Sequence, residues 1–238
     1  MPVGIPRVPF LIPDDEEATW VDVYNRLYRE RSLFLGTKID WESTNLLLSI
    51  MVFLSRQDCT WEQFLFLNCP GGWVVCGLAI FDMIRSVPPD VHTISIGKAY
   101  SMGSLVLSAG EFTERIAFPH GKVLLHQPMS SYFEGEELSK DSKEVQRIRK
   151  TVIRLYRQRT GQFPWVIAHD LERDSFLTPT EAKNHGIVDL VGVDLARLRL
   201  GQRFHNRSTE TWNQLTNPYF DDLEKSDAHE NFDGVIKC

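Results

Sequence analysis

The sequence predicts an α/β fold built on a mostly parallel sheet with helices on both faces, and three observations carry that expectation. Short runs rich in apolar residues on both strand faces, "QFLFLN", "VHTISIG", "RIAFP" and "KVLLH", have the character of strands buried on both sides. Longer stretches between them repeat their apolar residues at helical spacing. Strand and helix alternate with short turns, the order that crossovers in a parallel sheet impose.

Along the chain, "EEATWVDVYNRLYRERS" (16–32) has helical spacing and predicts a first helix, and "LFLG" (33–36) a short strand. "WESTNLLLSIMVFLSRQ" (41–57) is a strongly apolar helix. "QFLFLN" (63–68) is a strand, "CPGG" (69–72) a turn and "WVVCGLAIFDMIRSV" (73–87) a helix. "VHTISIG" (91–97) is a strand ending at Gly97, and "SMGSLVLSAG" (101–110) is a helix beginning near Ser101. "RIAFP" (115–119) and "KVLLH" (122–126) are short strands. From Glu137 to Arg159 a charged segment places Val145, Ile148, Val152, Ile153 and Tyr156 on one stripe, which predicts a long helix with a polar face. "HDLERDSFLTPTEA" reads as a helix end followed by an N-cap at Thr178. After about Val193 the periodicity ends and the chain turns acidic, as a tail does. The expected organisation is an N-terminal segment (1–18), one domain (19–193) that includes the long helix within about 129–160, and a C-terminal extension (194–238).

Composition narrows the function classes. A 238-residue chain that is 42% hydrophobic can bury a substantial core. Its net charge of −6 gives no broad basic surface for nucleic acid or for an acidic membrane. It has no run of 18 apolar residues, and "MPVGIPRVPFLIPDDEE" resembles neither a signal peptide nor a transit peptide, so the protein is expected to work where it is made. The four cysteines, Cys59, Cys69, Cys76 and Cys238, lack paired spacing and histidine partners, so no metal site is expected and a reducing compartment is.

The chemistry centres on "GKAYSMGSLVL". Ser101 begins a helix that follows a strand, at the carboxyl edge of the sheet where α/β folds place their sites. Two readings stand on the residues alone: a nucleophile, or a small polar residue capping the helix. Ser104, one turn on, is a weaker candidate. The Pro-Gly-Gly turn at 70–72 and the N–H of Met102 offer unpaired donors for an anion or a developing oxyanion. A base would come from His120 or His126, which flank "GKVLL", and an orienting acid from Asp170, Glu172 or Asp174.

At this point longer motifs speak together. "WVDVYNRLYRERSLFLG", "FLFLNCPGGWV", "SMGS", "AFPHGKVLLHQP", "YRQRTGQ" and "ERDSFLTPTEAKNHGIVDLV" span about Trp20 to Val191, and they resemble the Clp protease proteolytic subunit family, ClpP, most closely its plastid-encoded form. The resemblance implies a spiral of β-β-α units shared with the crotonase fold, plus a protruding handle helix formed by the Glu137–Arg159 segment. It implies Ser101 as nucleophile, His126 as general base and Asp174 as its orienting acid, with the N–H groups of Gly72 and Met102 as the oxyanion hole. Peptides would lie extended beside "PGGWV" and the strand Lys122 to Leu125, held by main-chain hydrogen bonds. Arg173 would link ring contact to triad alignment, and Phe64, Phe66 and Ser86 would lie in the groove that receives the ATPase.

The family assembles two stacked heptameric rings. The implied partners are further ClpP and ClpR-type subunits, a ClpC-type AAA+ chaperone and unfolded protein substrates, with no nucleic acid and no membrane. The subunit itself would need no cofactor, because ATP is used by the partner ATPase, and the implied location is the plastid stroma. Three departures stand out: Tyr100 where the family usually has alanine, Cys69 where it usually has serine, and Ser86 where it usually has phenylalanine. Two other readings remain at this point. One is a catalytically silent ring subunit of the same complex, and the other is a crotonase-like acyl-CoA enzyme, whose paired N–H groups hold a thioester enolate.

Overall fold

The computed structural model describes residues 4–10, 19–128 and 138–192. Most of the N-terminal segment, residues 129–137 of the expected handle and the extension 194–238 lie outside the described residues. With strands and helices numbered in chain order, five parallel strands form the main sheet. Their order is β3 (Ser32–Leu35), β4 (Gln63–Cys69), β5 (Val91–Tyr100), β6 (Arg115–Ala117) and β9 (Leu190–Val191). Beside the far end of β5 runs β7 (Lys122–Leu125), parallel to it, and beyond β7 lies the antiparallel β8 (Ser175–Leu177).

The crossovers are the expected helices. α2 (Trp41–Gln57) starts on a capping box: Asp40 accepts the Ser43 N–H at 2.8 Å while the Ser43 hydroxyl accepts the Asp40 N–H at 3.2 Å. It buries Leu47, Met51 and Leu54, one stripe at helical spacing. α3 (Val74–Ser86) and α4 (Met102–Ala109) pack closely because Gly77 faces Met102, where a Cβ would come within 2.7 Å of the methionine side chain. All eight residues of α4 are buried, so the helix that carries the candidate nucleophile is central to the core.

Two sequence expectations change. Thr19–Asp22 form the strand β2 rather than helix, and α1 is confined to Val23–Arg29. The cause is a partner remote in sequence: β1 (Arg7–Phe10) pairs antiparallel with β2, placing Val8 opposite Val21, and sheet pairing of a β-branched stretch outweighs weak local helical spacing. β5 does not stop at Gly97 but runs on to Tyr100. Gly97 adopts φ +90°, a bend that residues with a Cβ avoid. The register with β4 also shifts, between Leu67 and Cys69. Before the bend, Thr93–Ser95 pair with β6; after it, Lys98–Tyr100 pair with β7.

The long helix α5 (Leu138–Thr160) has 23 residues, a length of about 35 Å at 1.5 Å per residue. Its first described side chains, Lys143, Glu144, Gln146 and Arg147, are exposed, whereas Val152, Tyr156 and Arg159 are buried in the body. Arg159 donates to the carbonyls of Ser108, at 2.9 Å, and Gly110, closing the C-terminal end of α4, with its guanidinium 3.9 Å from the centre of the Phe112 ring. α6 (Pro164–Glu172) then leads into β8, and α7 (Pro179–His185) starts on a second capping box between Thr178 and Glu181, as its sequence predicts.

At the amino end of the sheet His92 is buried between two carboxylates. Its Nε2 lies 2.8 Å from Glu62 Oε2, and its Nδ1 lies 3.0 Å from Glu114 Oε2 at an angle short of a well-formed hydrogen bond. Burial alone would lower the imidazole's pKa, but Glu114 and Glu62 outweigh it and raise the group from 6.5 to about 9. Such a group adds stability that is complete below its unfolded value of 6.5 and lost as pH rises through about 9. Thermal unfolding followed from pH 6 to pH 10 should therefore show a falling midpoint, and His92→Gln should flatten that slope.

Candidate active site

The site forms where the end of β5, the Pro-Gly-Gly turn, β7 and the α6–β8 junction converge. Ser101 joins β5 to α4 with φ 52° and ψ −119°, a conformation rare for a residue with a Cβ. Its N–H donates to Leu124 O at 2.9 Å, and its carbonyl accepts the Ser104 N–H at 3.0 Å. The Ser101 hydroxyl binds no N–H of α4, so the capping reading of this serine does not hold. Ser104 is no rival nucleophile: it is fully buried, and its hydroxyl lies within hydrogen-bond distance of Ser101 O, Leu124 O and the Tyr156 hydroxyl.

The turn 70–72 abuts this junction for steric reasons. Gly71 has φ +91°, and a Cβ there would lie 2.8 Å from Tyr100 O and 3.0 Å from Ser101 Cβ. At Gly72 a Cβ would collide with Ile39 O at 2.1 Å. Both bonds to Ile39 come from the neighbours of Gly72: Gly71 O accepts the Ile39 N–H at 2.9 Å and the Trp73 N–H donates to Ile39 O at 3.0 Å. The N–H and C=O of Gly72 itself are thereby directed to the opposite side of the segment. Met102 is the first residue of α4, and its N–H is among those a helix leaves without an internal acceptor. Cys69 is buried beneath the turn, its sulfur accepting the Gly71 N–H at 3.3 Å, and burial raises its thiol pKa. It therefore supports the turn as an uncharged thiol.

Of the histidines and acids the sequence offered, geometry pairs one of each. His126 Nδ1 lies 2.5 Å from Asp174 Oδ1. Asp170 is engaged by His185 at 2.7 Å, and Glu172 by Arg149 of α5 at 2.6 Å. The Glu172–Arg149 bond, with charge attraction behind it, holds the Glu172 carboxyl below its usual pKa. His120 is exposed in a turn and pairs with no acid among the described residues. Asp174 is 65% exposed and His126 23%. Ser101 is tied through Leu124 to the strand that ends just before His126, so nucleophile, imidazole and acid follow one another across β5, β7 and the start of β8.

Other predicted positions are placed as follows. Arg173 is the exposed C-cap of α6, its carbonyl accepting the Ser175 hydroxyl at 2.7 Å. Phe64 and Phe66 are buried in a small cluster with Ile94 and Ile116 that also packs Phe118. Ser86 lies outside that cluster, at the end of α3, its hydroxyl donating to Asp82 O of its own helix. Tyr100 packs edge-on against Phe176 of β8 with ring centres 5.9 Å apart, so its bulk lies along the sheet. One expectation is corrected: Lys122–Leu125 offers no edge to a peptide, because β5 fills one side of that strand and β8 the other. Sequence reasoning missed β8, whose three residues carry no periodic signal, and the buried Ser104–Tyr156 contact, for which a tyrosine in an apolar stripe is the only hint.

Comparison with known proteins identifies the family. The Clp protease family profile matches residues 15–194. The chain is 54% identical over 196 residues to the ATP-dependent Clp protease proteolytic subunit of Platanus occidentalis, covering 82% of this chain and 97% of that protein. The subunit of the same description from Spinacia oleracea is 53% identical over 196 residues, 82% of this chain and 100% of that protein, and the one from Nymphaea alba is 53% identical with coverages of 82% and 97%. The profile match over residues 15–194 and these identities place the chain in the Clp protease family.

Proposed function

We propose that this hydrolase of the Clp protease family cleaves peptide bonds with Ser101 as nucleophile, His126 as general base and then general acid, and Asp174 as the group that orients the imidazole. The observation that carries the reading is the 2.5 Å contact between His126 Nδ1 and Asp174 Oδ1, beside a serine held at φ 52° with its hydroxyl free of the helix it begins. An ionised Asp174 only accepts, so Nδ1 carries the proton and Nε2 is left as the base.

In that reading Ser101 Oγ attacks the scissile carbonyl as its proton passes to His126 Nε2. The carbonyl oxygen becomes an oxyanion held by the N–H groups of Gly72 and Met102. His126 then protonates the leaving amine, and water repeats the sequence on the acyl-enzyme to release the acid. The peptide lies along the Gly72 edge, whose own N–H and C=O face away from Ile39. The triad supports activity over a silent ring subunit, and a protease over an acyl-CoA enzyme, because an enolate site uses the paired N–H groups but has no need of a serine nucleophile.

The relatives are named as proteolytic subunits of an ATP-dependent protease, and we extend that to this chain: it assembles with like subunits into stacked rings, receives unfolded protein from a ClpC-type ATPase, uses no cofactor of its own and works in the plastid stroma. The exposed first part of α5 suits contact between rings, with Arg173 adjoining the acid at the same end of the site. By the family resemblance Phe64, Phe66 and Ser86 belong to the face offered to the ATPase; both rings are themselves buried, and Ser86 contributes no aromatic ring.

A fluorophosphonate probe should label the native chain at Ser101, and Ser101→Ala should abolish both the label and peptide hydrolysis, a loss on the order of 10⁶-fold, at unchanged native mass. Hydrolysis retained by a pure Ser101→Ala particle would sink the assignment. Asp174→Asn should keep the fold, because the side chain is mostly solvent-exposed, yet lower kcat by about 10⁴-fold by presenting the wrong tautomer of His126. Equal kcat for the two proteins would remove Asp174 from the triad.

A further inference from the structure

Tyr156 belongs to α5, which supplies none of the triad, yet its hydroxyl ends 2.7 Å from that of Ser104, one turn into the nucleophile's helix. Ser104 Oγ also lies 2.6 Å from the carbonyl of Ser101 and 2.9 Å from that of Leu124. A serine hydroxyl has one proton, and carbonyls only accept. The arrangement in which every buried proton finds an acceptor has Tyr156 donating to Ser104 and Ser104 sharing its single proton between the two carbonyls. The opposite direction leaves the phenol proton of a residue only 2% exposed without an acceptor among the described residues. Burial holds that phenol in its protonated form, above its usual range.

The two carbonyls are the ones that define the nucleophile's turn. One is that of Ser101 itself, and the other, on Leu124, also receives the Ser101 N–H at 2.9 Å. A residue with a Cβ held at φ 52° is strained and persists only where its surroundings over-determine it. Ser104 is the side chain that does so here, by bonding the turn to the strand preceding His126.

We propose that Tyr156 is a positioning residue for the nucleophile: through Ser104 it holds the strained Ser101 turn against β7 and so sets the direction of the Ser101 hydroxyl. The seat of α5 is thereby coupled to the elbow. Hydrogen bonds weaken steeply past normal length, so a displacement of the helix by about 1 Å would break the relay. The inference rests on Ser101 being the nucleophile and adds a requirement on where the long helix sits.

Tyr156→Phe removes only the donor and Ser104→Ala only the relay, and both are studied alone and combined in the assembled full chain. For each, the fluorophosphonate labelling rate per active site, kcat and KM on a short peptide, native mass and thermal midpoint are measured. In Tyr156→Phe the labelling rate and kcat should fall together by about 10- to 100-fold while KM stays within about twofold, since a misdirected nucleophile loses rate and not ground-state binding. Ser104→Ala should do the same, and the double variant should be no slower than the slower single one, because both lie on one path. An unchanged labelling rate in Tyr156→Phe at unchanged native mass overturns the proposal, as do losses that multiply in the double variant. If one variant fails to assemble, the other decides; failure of both assigns the pair to folding alone and also overturns it. A native chain that takes no label at all sinks the peptidase reading, whereas a labelled native chain with unimpaired variants sinks only this inference.

Discussion

The site depends on β5 having two neighbours in succession. Up to Ser95 the strand belongs to the main sheet and pairs with β6; from Lys98 it pairs with β7, and the glycine at 97 with φ +90° makes the transfer possible. Before that bend the strand lies beside β6, which brings neither His126 nor Asp174. After it, the serine emerges beside β7, which ends at His126, and one strand farther lies β8, which begins after Asp174. Ser101, His126 and Asp174, from three parts of the chain, fall on or beside successive strands because one strand changes partner.

Close packing beneath this edge is met with small residues at chosen points. Gly71 lies against the Tyr100–Ser101 peptide, Gly77 against Met102, and Gly103 within 3.2 Å of Cys69 O at the position of its missing Cβ. These contacts bring α3, α4 and the turn into close packing around the Ser101 junction. The thiol of Cys69 fits the same logic, since it accepts the Gly71 N–H and remains an uncharged, buried group. At the opposite end of α4 Arg159 closes the last carbonyls, so α5 makes polar contacts with that helix at Ser104 near its start and again at its C-terminal end.

What was legible in the sequence is what local periodicity encodes. α2 begins and ends where its apolar spacing does, β4 and β7 match their apolar runs to within a residue, and the N-cap at Thr178 is present with its glutamate partner. β2, the last residues of β5 and β8 were not legible, because each is defined by a partner strand rather than by its own pattern. The choice of Asp174 over Asp170 and Glu172 lay outside composition altogether. Resemblance named it, and geometry explains it: the other two acids already hold His185 and Arg149. Ser101 itself was ambiguous as a string, since a cap and a nucleophile look alike until the backbone is known to turn its hydroxyl away from the helix.

The strand order also sets a schedule. During synthesis Ser101 leaves the ribosome first, then His126, then Tyr156 and last Asp174, and β8 follows the acid directly. Until β8 pairs with Leu124 and its neighbours, the imidazole has no carboxylate to fix its tautomer. Ser101 is therefore synthesised 73 residues ahead of Asp174, and over that interval His126 lacks its carboxylate partner. In the proposed mechanism the pairing of β8 is the step that completes the triad, after the nucleophile and the base have both been synthesised.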